Sequence, residues 1–218
     1  MGLQTIIDNA TFVTIDYNKV AAQSISRSGR LLTAEIASAV PFNLTVGMHN
    51  GLQYSQNRAL LAELGSLDIT AEEEVDIGRT NTGLNYLTAY QGDSTGIASV
   101  TCVSASGKTL TVNATNAGSG TYLFKKGDFI QPGGAYRYPY IVTADVAHTT
   151  SSSVAVSIHR TFIPQSGYTL SSAALVTGVN CDFYFKMISK PSYSVIPHDR
   201  VVFNSDFELV EVIRKEDT

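Results

Sequence analysis

The densest group of side chains that could bind a metal ion in this 218-residue sequence is a run of carboxylates between residues 68 and 76. Its members are Asp68, Glu72, Glu73, Glu74 and Asp76. Carboxylate oxygens are the ligands that Ca²⁺ prefers, but a calcium loop places them at alternating positions around a turn glycine. The run has neither feature. We therefore interpret it as a solvated face or a charged contact with a neighbouring subunit.

The four histidines are candidates for metal binding or catalysis, and they lie far apart in the sequence. They are His49, His148, His159 and His198. Their spacing matches no metal-ligand pattern, and the sequence lacks a phosphate-binding loop, a zinc-protease motif and a nucleophile elbow. His198-Asp199-Arg200 only superficially resembles a kinase catalytic loop, because the downstream asparagine and the metal-binding motif are missing. We interpret His159-Arg160 as a polar cap at a strand end. We expect no catalytic, cofactor-binding or metal-binding residue, and no enzyme.

Three tyrosines at alternate positions are the remaining candidates for binding. They are Tyr136, Tyr138 and Tyr140. On a strand this spacing places the rings on one face, where sugars or bases stack. The neighbouring prolines and glycines favour a rigid hairpin instead, whose tyrosines pack on their own domain or on an adjoining protein. The second interpretation is preferred, and the first would make the chain a carbohydrate-binding or host-adhesion module.

The overall composition restricts the possible partners. The net charge is −4, with no basic clustering of the kind that a sequence-independent nucleic-acid binder needs. Charged residues make up only 16% of the chain, against roughly 25% in ordinary domains, which suits a protein packed against neighbours. No apolar run is long enough to span a membrane, and no signal peptide is evident. The two cysteines, Cys102 and Cys181, are expected to be buried thiols.

Apolar periodicity predicts the elements that position these residues. Alternating patterns predict long strands at 10–17, 42–48, 181–188 and 201–213, the last with a bulge. Leucines at helical spacing predict one short α-helix at 56–66, with Ser55 as its N-cap. Thr70 and Glu73 fit a capping box, which predicts a single helical turn. Residues 80–96 are predicted to form an exposed connection.

The middle of the chain has a different rhythm. Five short strands are predicted between residues 97 and 163, separated by tight turns such as the hairpin at Ser106-Gly107-Lys108. Their number and spacing are typical of a small, SH3-like barrel. We therefore predict a mainly β protein, in which a sandwich formed by residues 1–96 and 164–218 carries an inserted barrel at 97–163.

Three segments together resemble a virion component of contractile-tailed bacteriophages. They are residues 27–68, the segment KGDFIQPGGAYRYPYIVTADV with the following SVAVSIHRTFI, and residues 193–213. The resemblance covers about half of the chain and is to proteins at the baseplate end of the tail tube. It implies a tube-like β-sandwich that forms a ring, commonly a hexamer, around the path of the DNA. The inserted barrel departs from an ordinary tube subunit and favours a tail-tube initiator or hub-proximal ring protein.

This resemblance defines the expected function. The chain would join the baseplate hub to the tail tube and initiate tube assembly, binding copies of itself and the neighbouring tube, hub and wedge proteins. DNA would pass through the lumen without specific binding. The location would be the virion, after assembly in the host cytoplasm. The alternatives are the adhesion module described above and a head-decoration or head-to-tail joining protein.

Overall fold

The structure is a computed structural model, and it describes residues 2–17, 21–25, 31–35 and 40–214. Residues 27–30 and 36–39 of the segment 27–68 therefore lie outside the described residues. The helices are α1 (Leu3–Asp8), α2 (Tyr54–Ser66) and α3 (Asn85–Thr88). The strands are β1 (Ala10–Asp16), β2 (Ala21–Ile25), β3 (Leu31–Glu35), β4 (Asn43–Met48), β5 (Leu52–Gln53), β6 (Glu72–Asp76), β7 (Thr101–Ser106), β8 (Thr109–Asn113), β9 (Tyr122–Phe124), β10 (Phe129–Pro132), β11 (Tyr140–Ile141), β12 (Val146–Ala147), β13 (Val154–Ser157), β14 (Leu175–Thr177), β15 (Asp182–Ser189), β16 (Tyr193–Ile196), β17 (Arg200–Phe203) and β18 (Phe207–Glu211). The predicted mainly β class is confirmed.

The largest sheet has five antiparallel strands in the order β1-β4-β18-β15-β6. The predicted strands at 10–17, 42–48 and 181–188 are confirmed as β1, β4 and β15. Along β15, Phe183, Phe185 and Met187 are buried at alternate positions, as a half-buried strand requires. The core of this sheet includes apolar residues of both α1 and α2. The hydrophobic pattern therefore places these strands correctly.

The prediction of one long strand at 201–213 is wrong, because the chain forms two strands there. β17 pairs with β16 and β5, whereas β18 pairs with β4 and β15 in the main sheet. Residues 204–206 form the break between them. Val201 and Phe203 are buried, as are Phe207 and Leu209. These odd-numbered positions stay in phase across the break, so periodicity alone hides it.

The predicted helical turn at Thr70–Glu73 is also wrong. Asp68, rather than Thr70, organises this turn, since its Oδ1 accepts hydrogen bonds from the amide and the hydroxyl of Thr70 at 2.7 and 2.6 Å. The chain then enters β6, which pairs with β15 and buries Val75. Cross-strand pairing therefore determines this segment, against its local helical signal.

The predicted helix at 56–66 is confirmed as α2, but its predicted cap is wrong. The helix begins at Tyr54, so Ser55 lies inside it. Asp199, in the turn between β16 and β17, accepts hydrogen bonds from the amide and the hydroxyl of Ser55. α2 is the longest of three α-helices in the described ranges, not the single one expected.

A small barrel is formed by strands that lie between β6 and β15 in the sequence. Two three-stranded sheets, β13-β8-β7 and β11-β10-β14, are joined by bridges between Val142 and Ile158 and between Thr101 and Ala174. The path of paired strands therefore returns to its start. The predicted hairpin at Ser106-Gly107-Lys108 is confirmed as the turn between β7 and β8, where Gly107 has a φ of 54°. The closing strand β14 lies beyond residue 163, where the predicted insertion ends.

Two groups of buried apolar side chains underlie this architecture. One fills the space beneath the main sheet, and the other fills the barrel. Phe129 and Ile141 lie on barrel strands yet belong to the first group. Residues 80–96, predicted to be exposed, form α3 and bury Leu84 and Thr88. The division into residues 1–96 with 164–218 and 97–163 stays a prediction.

Candidate assembly interface

The tyrosine triplet is inside the barrel. Tyr136, Tyr138 and Tyr140 are at most 3% exposed, and only Tyr140 lies on a strand. The hydroxyls of Tyr136 and Tyr140 are 2.6 Å apart, and the Tyr140 hydroxyl accepts a hydrogen bond from the amide of Ile163. The preferred interpretation, packing on their own domain, is confirmed. The alternative ligand-stacking face is contradicted, because no ring surface is open to a sugar or a base.

The carboxylates of the run at 68–76 are used within the chain. Glu72 is paired with Arg137 and Arg214, and Glu73 accepts a hydrogen bond from the amide of Leu3 at 2.6 Å. The other partners are Thr70 for Asp68, Tyr184 for Glu74, and Thr80 with Arg79 for Asp76. Among the described residues no group of three or more His, Cys, Asp or Glu side chains is arranged to hold a metal ion.

The histidines lie in separate places. His49 is exposed after β4, and His148 lies on the flank of the barrel with its Nδ1 2.8 Å from the Ser94 hydroxyl. His198 and Asp199 both have positive φ values, 70° and 61°, in the turn between β16 and β17. The structure therefore brings no two of the four histidines together as a site.

Arg160 is the buried residue whose role the sequence does not reveal. Both its guanidinium and the Glu211 carboxylate are fully buried, and they form a bidentate pair. The guanidinium also donates to the carbonyl oxygens of Val40 and Pro139, at 2.7 and 2.9 Å. Burial alone would lower the pKa of Arg160, but the Glu211 carboxylate holds it above its ordinary value. Arg160 is thus not a simple strand-end cap.

The Arg160–Glu211 pair belongs to a seam between the barrel and the main sheet. A second polar bridge in this seam joins Gln131 of β10 to the start of β15. The side-chain NH₂ group of Gln131 donates to the backbone carbonyl oxygens of Tyr136 and Asp182. Its Oε1 accepts a hydrogen bond from the backbone amide of Asp182 at 2.8 Å. Apart from the Arg160 Nε, which has no hydrogen-bond partner among the described residues, the polar groups of these two bridges are paired, and such buried contacts favour a single geometry. The barrel is therefore held rigidly against the sheet.

Large apolar side chains are exposed unevenly over the described part of the chain. Four of the nine exposed ones lie within residues 188–196, and they are Ile188, Tyr193, Val195 and Ile196. All four residues of β16 are exposed, and among the described strands β16 pairs with β17 alone. Its outer edge therefore carries free backbone groups beside apolar side chains. We call β16 together with Ile188 the β16 surface; exposed apolar groups of this kind mark interaction sites.

The main sheet also has two edges, and they differ in character. β6 carries three glutamates, and charged residues discourage the pairing of an edge strand with another chain. β1 instead borders an apolar groove of about 350 Å³. The groove is lined by Val13, Thr14, Ile15, Leu87, Phe129 and Ile141. β1 and β16 are therefore the edges best suited to binding another protein.

No protein-family model matches the chain, and no curated protein matches its sequence. No helix in the described ranges combines the length and the hydrophobicity needed to cross a bilayer. The contacts described above are thus the basis for a functional interpretation.

Proposed function

We propose that this chain is a structural virion protein that forms a ring at the baseplate end of a contractile phage tail. In this role it joins the hub to the tail tube and initiates tube assembly. The observation that carries the proposal is the exposed apolar edge formed by the β16 surface. A second edge, β1 with its groove, lies in a different part of the main fold.

Two unlike edges on one chain support closed assembly. A contact between different surfaces of identical subunits generates a ring when the rotation closes. Open edges are a hazard in a monomer, and ring closure pairs them. The isolated ribbon of β2 and β3 is consistent with this, since it pairs with no other described strand and two-stranded ribbons are marginal alone.

The rigid seam between the barrel and the main sheet supports the hub-proximal position that we propose for this chain in the tail. A barrel fastened to the sheet by Arg160–Glu211 and Gln131–Asp182 has the same orientation in every subunit. A ring of such subunits presents a second tier of identical barrels to hub or wedge proteins. An adhesion function receives no such support, because its proposed tyrosines are buried.

Tube polymerisation tests the initiator role. The purified chain, added at a small fraction of the concentration of unassembled tube subunits from the same virion, is expected to abolish the lag before tubes form. A lag that remains unchanged, while the chain binds capsids instead of tubes, would replace the proposal with the head-joining alternative.

A further inference from the structure

The barrel is closed between β11 and β13 by an unusual set of hydrogen bonds. Two are backbone bonds, from the amide of Thr143 to the carbonyl of Ser157 and from the amide of His159 to the carbonyl of Ile141, at 2.9 and 3.0 Å. The third runs from the amide of Ile141 to Nδ1 of His159, at 3.0 Å. A side-chain nitrogen therefore takes the place of a backbone carbonyl as an acceptor in the closure.

This bond fixes the protonation state of the ring. Nδ1 can accept a hydrogen bond only when it carries no proton, so the neutral ring must hold its proton on Nε2. Nε2 is inaccessible to solvent and has no hydrogen-bond partner among the described residues. The ring also packs against Phe42 and Tyr17, with centroids 4.9 and 5.1 Å away. Water is therefore poorly placed to stabilise a charged form.

Two cations act electrostatically on His159. Arg160 follows it in the chain, and Lys108 in the turn between β7 and β8 adds a second positive charge. Glu211 of β18 supplies an anion, but both of its oxygens bind Arg160. Among the described residues, Tyr140 and Tyr17 are the other titratable side chains whose rings contact His159. Burial, followed by Arg160 and Lys108, lowers the pKa of His159 to about 3.

We infer that His159 is an acid-sensitive latch on the barrel, whose protonation opens the closure between β11 and β13. A proton on Nδ1 turns the acceptor into a donor that faces the Ile141 amide. It also places a third positive charge beside Arg160 and Lys108. The ring is stable in this site only while neutral, so acid favours conformations in which His159 reaches water.

The effect of pH on the closure follows from the difference in proton binding between the closed and the open barrel. The pKa of His159 is lower in the closed barrel than its ordinary value of 6.5, so the open form binds more protons at mildly acidic pH. The closure is therefore at full strength above the ordinary pKa and weakens as pH falls below it. The opening equilibrium is expected to rise about 25-fold between about pH 7 and pH 5.

Amide hydrogen exchange, corrected for intrinsic rates, tests this latch on the full chain. In the wild type, protection of the Ile141, Thr143 and His159 amides should fall by that factor on acidification, while Met187 and Leu209 of the main sheet stay protected. His159→Asn places an amide oxygen near the position of Nδ1 and cannot titrate in this range. This variant should keep its protection at both pH values, and His49→Asn, at an exposed histidine, should behave as the wild type.

Three results would overturn the latch. They are wild-type protection that does not change with pH, an equal loss in His159→Asn, and an equal loss at Met187 and Leu209. A direct NMR titration of His159 in the wild type covers the case in which the Asn variant fails to fold. A ring that stays neutral at about pH 5 supports the latch, and one that titrates near its ordinary pKa contradicts it.

Discussion

Arg160 and Glu211 are 51 positions apart in the sequence and form a fully buried, bidentate ion pair between the barrel and the main sheet. Glu211 also accepts a hydrogen bond from the amide of Phe42, at 2.9 Å, so its carboxylate serves two elements. Removing one partner of such a pair leaves an uncompensated charge in the interior. The stability of the seam therefore depends on both residues together.

Arg160→Met should lower the free energy of unfolding by about 3–5 kcal/mol, because Glu211 is left buried without its cation. Urea denaturation measures this. Arg79→Met is the matched control, since Arg79 is exposed and its pairs with Asp76 and Asp182 should be worth less than about 1 kcal/mol. The double variant Arg160→Met/Glu211→Leu should recover much of the loss. Equal losses in the two arginine variants would show that the seam pair has no special role.

Asp199→Gly should destabilise the chain by about 1 kcal/mol, because α2 loses the carboxylate that accepts from Ser55. Glycine suits the positive φ at this position, so the change isolates the capping contact. His198→Gly is the control, with a similar positive φ and no role at the helix. Thermal unfolding should show a loss in the first variant and none in the second, and the reverse order would refute the cap.

Alkaline pH should destabilise the barrel through its buried tyrosines. Burial raises the pKa of Tyr140 to about 12 and also raises that of Tyr136. The unfolded chain releases these protons near pH 10, so the stability that the neutral rings provide is present below pH 10 and is lost as pH rises toward 12. Tyr140→Phe should flatten this dependence. An equal loss of stability between pH 10 and pH 12 in the wild type and in Tyr140→Phe would contradict the buried placement.

The thiols should be inert in the folded chain. Cys102 and Cys181 are both buried, and burial raises the pKa of Cys102 to about 12 and raises that of Cys181 as well. A thiol reagent should label neither residue until denaturant is added. Val103→Cys, at an exposed position next to Cys102, should react at once. Rapid labelling of the native wild type would show that the cores are open.

The sequence predicts those parts of the fold that depend on local pattern. Alternation identifies β1, β4 and β15, and leucine spacing identifies α2. Local pattern fails where pairing with a strand distant in the sequence determines the secondary structure. Glu72–Asp76 becomes a strand because β15 pairs with it, and the break after Phe203 is hidden because the buried positions stay in phase across it.

The candidate interface is harder to predict than the fold, for the same reason. Val195 and Ile196 belong to an apolar pattern that is as typical of a buried strand as of an exposed one. Their exposure follows from the position of β16 at the edge of a three-stranded sheet, which local sequence does not encode. Arg160 likewise gives no sign of burial until Glu211 is placed beside it. The one sequence feature that points to the β16 surface is the short, mostly apolar strand Tyr193–Ile196 between two turns.

Sedimentation velocity, combined with electron microscopy of the purified chain, tests whether the chain assembles into rings through the β16 surface. The wild type should form closed rings as its concentration rises. Val195→Glu should prevent them, because it places a charge on the apolar edge of β16. Val103→Glu, at a valine of similar exposure on the barrel, should leave them intact. A wild type that stays monomeric at high concentration, or two variants that assemble equally well, would contradict assembly through the β16 surface.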